Sequence, residues 1–554
     1  MISRRYAWRR ARIYYHDYQR SKALYVDSVN GNDSNAGTAA APFATLTRVQ
    51  LEPLAGTTVY LARESIFREE LTGWPAGAHV RAYGAGARPV IDGRDVASNG
   101  AFSKTAGQTN VYQISWAHHF AADGGKSAHR VWEAGAMMTR TASVAACDST
   151  PGSFYAAAPT TSGPDLVYVH PTAGGAPSLE YALTERRWCV QLYASYMQAN
   201  VVGLETIGNS YADGSLVIDG YVEDCVARDG RIHNAFILGI AVGCQALGCE
   251  AGINSAMFVS YMDTGFGGAP HRNVLYQDCT ADAQFSATQV DGFLVHTDGV
   301  REFGTVEYRD CSVVSCSGGW NGVQAQKFVA YRCTYDDVLN AYGTYGTVGN
   351  WYLGGTGQTR IGAGDGGLLY LNTASAIQCV VRGCKIYQPS GNGPLFVFAP
   401  IATITVERCT MGAGAGGTLK FHRGDITVQK CVAAYGNFLT PQLHWFTDPI
   451  DAYSTDYNCY WNTASSDGFF QILYPSPAYI NSLADWQTYL AGAALGAGQD
   501  ANSIAQDPLL AGLASLDFTI GNSTVLAMGC GAELDEEDDP ALQAYWVANR
   551  VTEV

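Results

Sequence analysis

The 554-residue sequence has no run of eighteen apolar residues, so no helical membrane span is expected. It contains no CxxC pair, which removes the usual zinc-ribbon reading. Its first 22 residues, MISRRYAWRRARIYYHDYQRSK, carry no apolar core behind the arginines, so no secretory leader is expected. Charge is scarce, at 15% of the chain, and positive charge scarcer: 34 Lys and Arg stand against 50 Asp and Glu, a formal net charge of -16. Nucleic acid is therefore not the main partner, because phosphate binding needs clustered positive charge. What is plentiful is apolar side chain, at 47%, and glycine, at 62 residues. The first argues against a disordered chain, and the second means many turns. Length alone would allow roughly three or four domains, but repetitive folds break that rule.

Fifteen cysteines cannot all pair within one chain. Synthesis in a reducing cytosol with mostly free, buried thiols is the expectation. Residues 1–22 hold Arg4, Arg5, Arg9, Arg10, Arg12, Arg20 and Lys22 against Asp17 alone, a net +6, which leaves -22 for the rest. Tyr6, Trp8, Tyr14, Tyr15 and Tyr18 are interleaved with these charges. This head reads as a basic attachment arm, as an organelle transit peptide, or as a solvated terminus.

The body repeats a phrase. It reads VEDCVARDG at 222–230, VLYQDCTADA at 274–283 and VEYRDCSVVS at 306–315, and returns around Cys333, Cys384, Cys409 and Cys431, with a looser copy at Cys459. Counting Cys225, Cys249, Cys279, Cys311 and Cys333, then Cys384 to Cys459, the intervals run from 22 to 32 residues, with one of 51. A period in this range signals a solenoid, and the longer interval is close to two turns. The units are short and alternating, rich in β-branched and aromatic residues, and separated by Gly, Asn and Asp. The expected fold is all-β, a parallel β-helix in which each turn lays short strands on the turn before. Its cysteines stack in an inward ladder, small and apolar enough to be buried. Residues 188–465 would make roughly eleven turns.

The segments LYVDSVNGNDSNAGTAAAPFATLTRV (24–49), TTVYLARESIFREEL (57–71) and VRAYGAGARPVIDG (80–93) resemble the opening of the pectin-lyase-like right-handed parallel β-helix superfamily. SLADWQTYLAGAALGAGQDANSIAQDPLL (482–510) is similar to the segment that follows its last turns. The resemblance implies a short helix near 43–53 capping the coil. It divides the chain into a basic arm (1–22), the opening of the coil with its cap (23–102), a β-rich insertion (103–187), the main coil (188–465) and a C-terminal region (466–554). That last region packs on the final turns and ends in an acidic tail.

The VDGF phrase of FSATQVDGFLVHTDGVRE (285–302) resembles the DGF turn of pectate-lyase-type coils. The resemblance implies a base on the same strand, and His296 stands there; imidazole titrates near neutral pH. Asp291 and His296 are five apart and face opposite sides unless the strand bends. SGGWNGVQAQK (317–327) lacks paired acids, so calcium is not expected, and no motif calls for any other cofactor. A glycosidase needs two carboxylates about 5 to 10 Å apart. Adjacent turns about 4.8 Å apart supply that spacing from Asp263, Asp291, Asp298 or the Asp336–Asp337 pair. Asp291 before Gly292 also reads as a plain turn residue. His271 and Arg272 in GGAPHRN suit an anionic sugar. Trp320, Tyr342, Tyr345, Trp351 and Tyr352 suit stacking on pyranose rings, or packing loops on the coil.

The layout is most like bacteriophage tailspikes and polysaccharide depolymerases. That likeness implies a bacterial surface polysaccharide as ligand, and a homotrimer. It also implies attachment to the virion through the basic arm, a virion location after synthesis in the host cytoplasm, and no membrane partner. Two further readings stay open: a secreted bacterial lyase or hydrolase acting on uronate glycans, and a non-enzymatic structural or adhesive coil.

Overall fold

The computed structural model describes residues 22–75, 77–116, 130–156, 165–192, 199–209, 214–230, 233–249, 255–262, 272–283, 290–297, 303–323, 325–338, 340–345, 349–359, 369–371, 377–388, 395–397, 402–413, 417–421, 424–435, 442–446, 452–461, 470–472, 478–492, 498–512 and 517–531, with 540, 544, 547 and 548. The basic arm apart from Lys22, and most of the acidic tail, thus lie outside the described residues. The chain forms two units, Met1–Leu238 with Gly243–Ala251, and Gly239–Val242 with Gly252–Val554.

In the first unit, strands Lys22–Val26, Thr57–Ala62, His79–Tyr83, Ala199–Val202 and Leu216–Glu223 pair in parallel, one after another. Their register stacks Leu24, Val59, Val80, Val201 and Val222 in one buried column. A second parallel sheet runs through Ile66–Phe67, Val90–Asp92, Glu205–Ile207, Val226–Gly230 and Gln245–Cys249. The cap helix is Leu46–Gln50, shorter than the expected 43–53. Thr45 caps it by accepting from the Arg48 amide, and Asp33 accepts from the Ala44 and Thr45 amides. Leu46 and Val49, three apart, bury its apolar stripe. Between the coil strands lie small sheets with antiparallel pairs such as Ser153–Ala156 with Asp165–His170 and Val131–Glu133 with Tyr181–Thr184. Phe154, Val167, Val169, Tyr181 and Leu183 form their own core.

The second unit is a coil with three strands per turn. Val274–Gln277, Thr280–Asp282 and Val290–Thr297 are followed in parallel register by Phe303–Arg309, Ser312–Val314 and Gly318–Val323. Ala325–Tyr331, Thr334–Val338 and Asn340–Tyr345 lie on those in turn. The pattern persists to Ala452–Asp456, Cys459–Trp461 and Phe470–Ile472. The chain is an all-β parallel β-helix protein.

One corner explains the repeated phrase. Asp224 and Gly243 in the first unit, and Asp278, Asp310, Arg332, Gly354, Gly383, Arg408, Lys430 and Tyr457 in the second, all have positive φ, between 49° and 67°. This left-handed bend turns one strand into the next, and Asp and Gly tolerate it best. The residue after each bend points inward: Cys225 and Cys244, then Cys279, Cys311, Cys333, Gly355, Cys384, Cys409, Cys431 and Asn458. Each thiol lies against carbonyls the bend leaves over; Cys311 Sγ is 3.4 Å from the carbonyls of both Arg309 and Tyr276. The spacing expectation needs two corrections. Cys244, not Cys249, occupies the rung, because Cys249 pairs with Gly230 at a strand end. Asn458, not Cys459, ends the ladder; Cys459 pairs with Val432 one residue further on. The interval of 51 residues is two turns, with Gly355 on the rung between. All fourteen described cysteines are free and buried. Burial pushes the thiols of Cys189, Cys459 and Cys530 up to about 12, so they stay protonated and unreactive.

Candidate functional site

The strand Val290–Thr297 carries two of the residues singled out from sequence. Its orientation is fixed from inside. Phe293 stacks between Phe258 (4.9 Å) and Trp320 (5.9 Å), rungs on the neighbouring turns. Val295 is buried as well. With both held inward, His296 is turned out, and it is exposed. Its ring stacks on that of Tyr261 one turn earlier, with centroids 5.3 Å apart and planes 28° apart. The register Tyr261↔His296 makes this a two-ring ladder on the outside of the coil. A flat aromatic face beside an imidazole suits a sugar ring.

Asp291 is not in a turn but inside the strand, partly buried, opposite Ala256 and Gly318. A Cβ on Gly318 would lie 2.1 Å from Asp291 Oδ1, so the glycine is what leaves room for the carboxylate. Gly318→Ala is expected to cost about 1–3 kcal/mol through overpacking. Urea unfolding checks it; an unchanged midpoint would remove Asp291 from that space.

The bend that would have joined Asp291 and His296 is absent. Both lie on one unbroken strand, five residues or about 16 Å apart. They cannot serve the same bond, and the pairing is corrected accordingly. Trp320 is also corrected: it is 0% exposed, wedged against Phe293 and Tyr308, so neither face is open to a sugar. Tyr352 is likewise interior, beside Phe328. Arg272 is partly buried, and its carbonyl accepts from Gly304 N at 2.9 Å. Asp263, His271 and Asp298 lie outside the described residues. So do the side chains of Tyr342, Tyr345, Trp351 and Asp337, whose backbones are in strands. Asp336 is exposed on Thr334–Val338, away from Asp291 in sequence and strand.

Tyr261 was not singled out from sequence, although a signal for it exists. FVSYMDTG (258–265) and FLVHTDG (293–299) are copies of one turn. They equate Phe258 with Phe293, Tyr261 with His296, and Asp263 with Asp298. Among the described residues, no group of three or more His, Cys, Asp or Glu is placed to hold a metal ion.

No family model matches the chain, and no curated protein matches it. Among solved structures, it is similar to XylC in complex with xylose, at 9% identity and TM-score 0.48, over 88% of this chain and 87% of that one. It is similar to a glycoside hydrolase at 10% identity and TM-score 0.40, over 78% and 95%. It is also similar to the Gp54 tailspike of Acinetobacter baumannii bacteriophage AP22 in complex with A. baumannii capsular saccharide. That likeness has 11% identity and TM-score 0.21, over 77% and 75%. At these identities and scores, none of the three assigns chemistry to a residue of this chain.

Proposed function

We propose that the chain binds and cleaves a bacterial surface polysaccharide, with Asp263 and Asp298 as the carboxylate pair and the Tyr261–His296 stack holding one sugar ring. One observation carries this reading: Met262 pairs with Thr297 as the last partners of adjacent strands, and each aspartate is the next residue in sequence. Parallel strands on neighbouring turns lie about 4.8 Å apart. Carboxyls about 5 Å apart suit double displacement. One carboxylic acid gives its proton to the leaving oxygen while the other carboxylate attacks the anomeric carbon. Water, deprotonated by the first carboxylate, then displaces the covalent sugar and restores the second.

The test is incubation of the full chain with capsular and lipopolysaccharide glycans, reading new reducing ends and the ultraviolet absorbance of an unsaturated uronate. Reducing ends without that absorbance are expected. The absorbance would replace hydrolysis by β-elimination, with His296 as base. Retention on a glycan column without cleavage would leave a binding or adhesive protein. The setting we propose is a virion tailspike, docked through the basic arm and assembled as a homotrimer. Light scattering on the same preparation is expected to read three chains; a single-chain mass would remove the trimer.

A further inference from the structure

In the first unit, Leu24, Val59, Val80, Val201 and Val222 make one buried inward column. The two-residue period puts the residues on either side of each of them on the outer face. One outer column then runs Thr58, His79, Asn200 and Tyr221. Its neighbour runs Tyr25, Tyr60, Arg81, Val202 and Glu223. All but two of these nine are partly exposed, as suits an outer face. The exceptions are Thr58, at 1%, and Asn200, at 5%.

Asn200 is the anomaly. Its side chain is shorter than those of His79 and Tyr221, its partners on the two adjacent strands, which places it at the bottom of a recess between them. Its Oδ1 is shut from solvent and accepts no hydrogen bond. A buried carbonyl without a donor is destabilising, so one that is kept calls for a ligand or another use.

The rim supplies groups of a consistent kind. Burial, and then the Arg81 charge, hold His79 down at about 4. Its ring is thus neutral at neutral pH, with one nitrogen that donates and one that accepts. Tyr221 OH donates to Glu223 Oε2 at 3.0 Å, and its own oxygen can accept. Arg81 and Glu223 stand in the same outer column, and their formal charges cancel. Beside Arg81 in that column, Tyr60 stacks on Tyr25 at 4.9 Å, and Tyr83 meets Tyr25 edge-on at 5.1 Å. Aromatic rings beside donors and acceptors of no net charge suit a neutral sugar. Tyr60 and Asn200 are two strands and two residues apart, about 12 Å, which takes at least two sugar rings to span.

We propose that this outer face is a second saccharide site, where a neutral glycan of at least two rings donates a hydroxyl hydrogen bond to Asn200 Oδ1 and lies along the Tyr25–Tyr60–Tyr83 cluster. It shares no residue with the Tyr261–His296 stack and needs no cleavage, so the failure of either reading leaves the other standing.

The test is saturation-transfer NMR of the full chain carrying Tyr261→Ala and His296→Ala, with maltose, cellobiose, lactose and chitobiose in turn. Transfer to at least one is expected. Asn200→Leu in the same chain should lower it several-fold, and so should Tyr221→Phe, which keeps the ring. Without sugar, the urea midpoint of Asn200→Leu is expected not to fall, because an unpaired carbonyl gives way to an apolar group of like shape. A merely structural asparagine would not combine lost binding with kept stability. No transfer to any of the four sugars would overturn the proposal. So would transfer undiminished in either variant, or a lower midpoint, which would show the carbonyl already satisfied by a fixed water.

Discussion

Asp298→Asn is expected to lower glycan cleavage by about 10³-fold or more, the usual effect of removing a positioned proton donor or nucleophile. Asp263→Asn should do the same, and the double variant should cost little beyond either single one, because the two carboxyls act as a unit. His296→Ala is expected to act differently. It removes half of the Tyr261–His296 platform, 5.3 Å between centroids, and so should raise KM more than it lowers kcat. Asp291→Asn, about 16 Å along the strand from His296, should leave the rate within a few-fold. Initial rates on whichever glycan is cleaved give all five comparisons. Full activity in Asp298→Asn would sink the carboxylate pair while leaving the coil untouched.

The largest effect on stability is expected at Asp500. Its carboxylate is 0% exposed and closes the far end of the thiol ladder. Oδ1 accepts from Thr455 Oγ1 (2.9 Å), Asn458 Nδ2 (3.2 Å), Tyr460 OH (3.1 Å) and Ser503 Oγ (2.5 Å), and Oδ2 from Trp486 Nε1 (2.9 Å). Asn458 in turn receives the Cys431 amide at 2.9 Å, so the acid holds the residue that ends the column of cysteines. Asp500→Ala strands five buried donors and should cost about 3–5 kcal/mol. Denaturant unfolding checks it, and a loss below about 1 kcal/mol would show that the region relaxes around the gap. The pH dependence has a definite sign. Burial raises this carboxyl above the ordinary Asp value of 3.8, in spite of the donors. The folded state therefore binds the proton more readily than the unfolded one. Stability from this group is greatest below the unfolded value and falls as pH rises through the raised one. Asp500→Asn should flatten that slope.

The coil was legible because its corner imposes two demands at once. The bend needs a residue that accepts positive φ, and the next side chain must be small and apolar enough to point inward. Asp-Cys at 224–225, 278–279 and 310–311 meets both, and so does Gly-Cys at 243–244 and 383–384. Cysteine spacing alone misassigned two rungs: Cys249 follows Gly248, a positive-φ residue at the far end of its strand, and Cys459 lies one residue past the rung that follows the Tyr457 bend. The site was less legible for a related reason. Inward and outward aromatics look alike in a sequence, so Trp320, a rung of the interior stack, passed for a sugar platform. The outward pair was visible only as a repeat, FVSYMD against FLVHTD, and needed the register of two turns to be read as a pair. Asp291 and His296 were joined by a bend that the strand does not make.

The thiol ladder also divides the life of the molecule into two chemical regimes. Once the turns are stacked, oxidants meet no exposed sulfur among the fourteen described cysteines. Before stacking, the same thiols sit at intervals that a flexible chain closes with little entropic penalty. A premature cross-link between neighbours would staple one coil length into a loop and hold the left-handed bend out of reach. For these fourteen thiols, vulnerability to oxidation is thus confined to synthesis, and the damage would be recorded as misassembly rather than as lost reactivity.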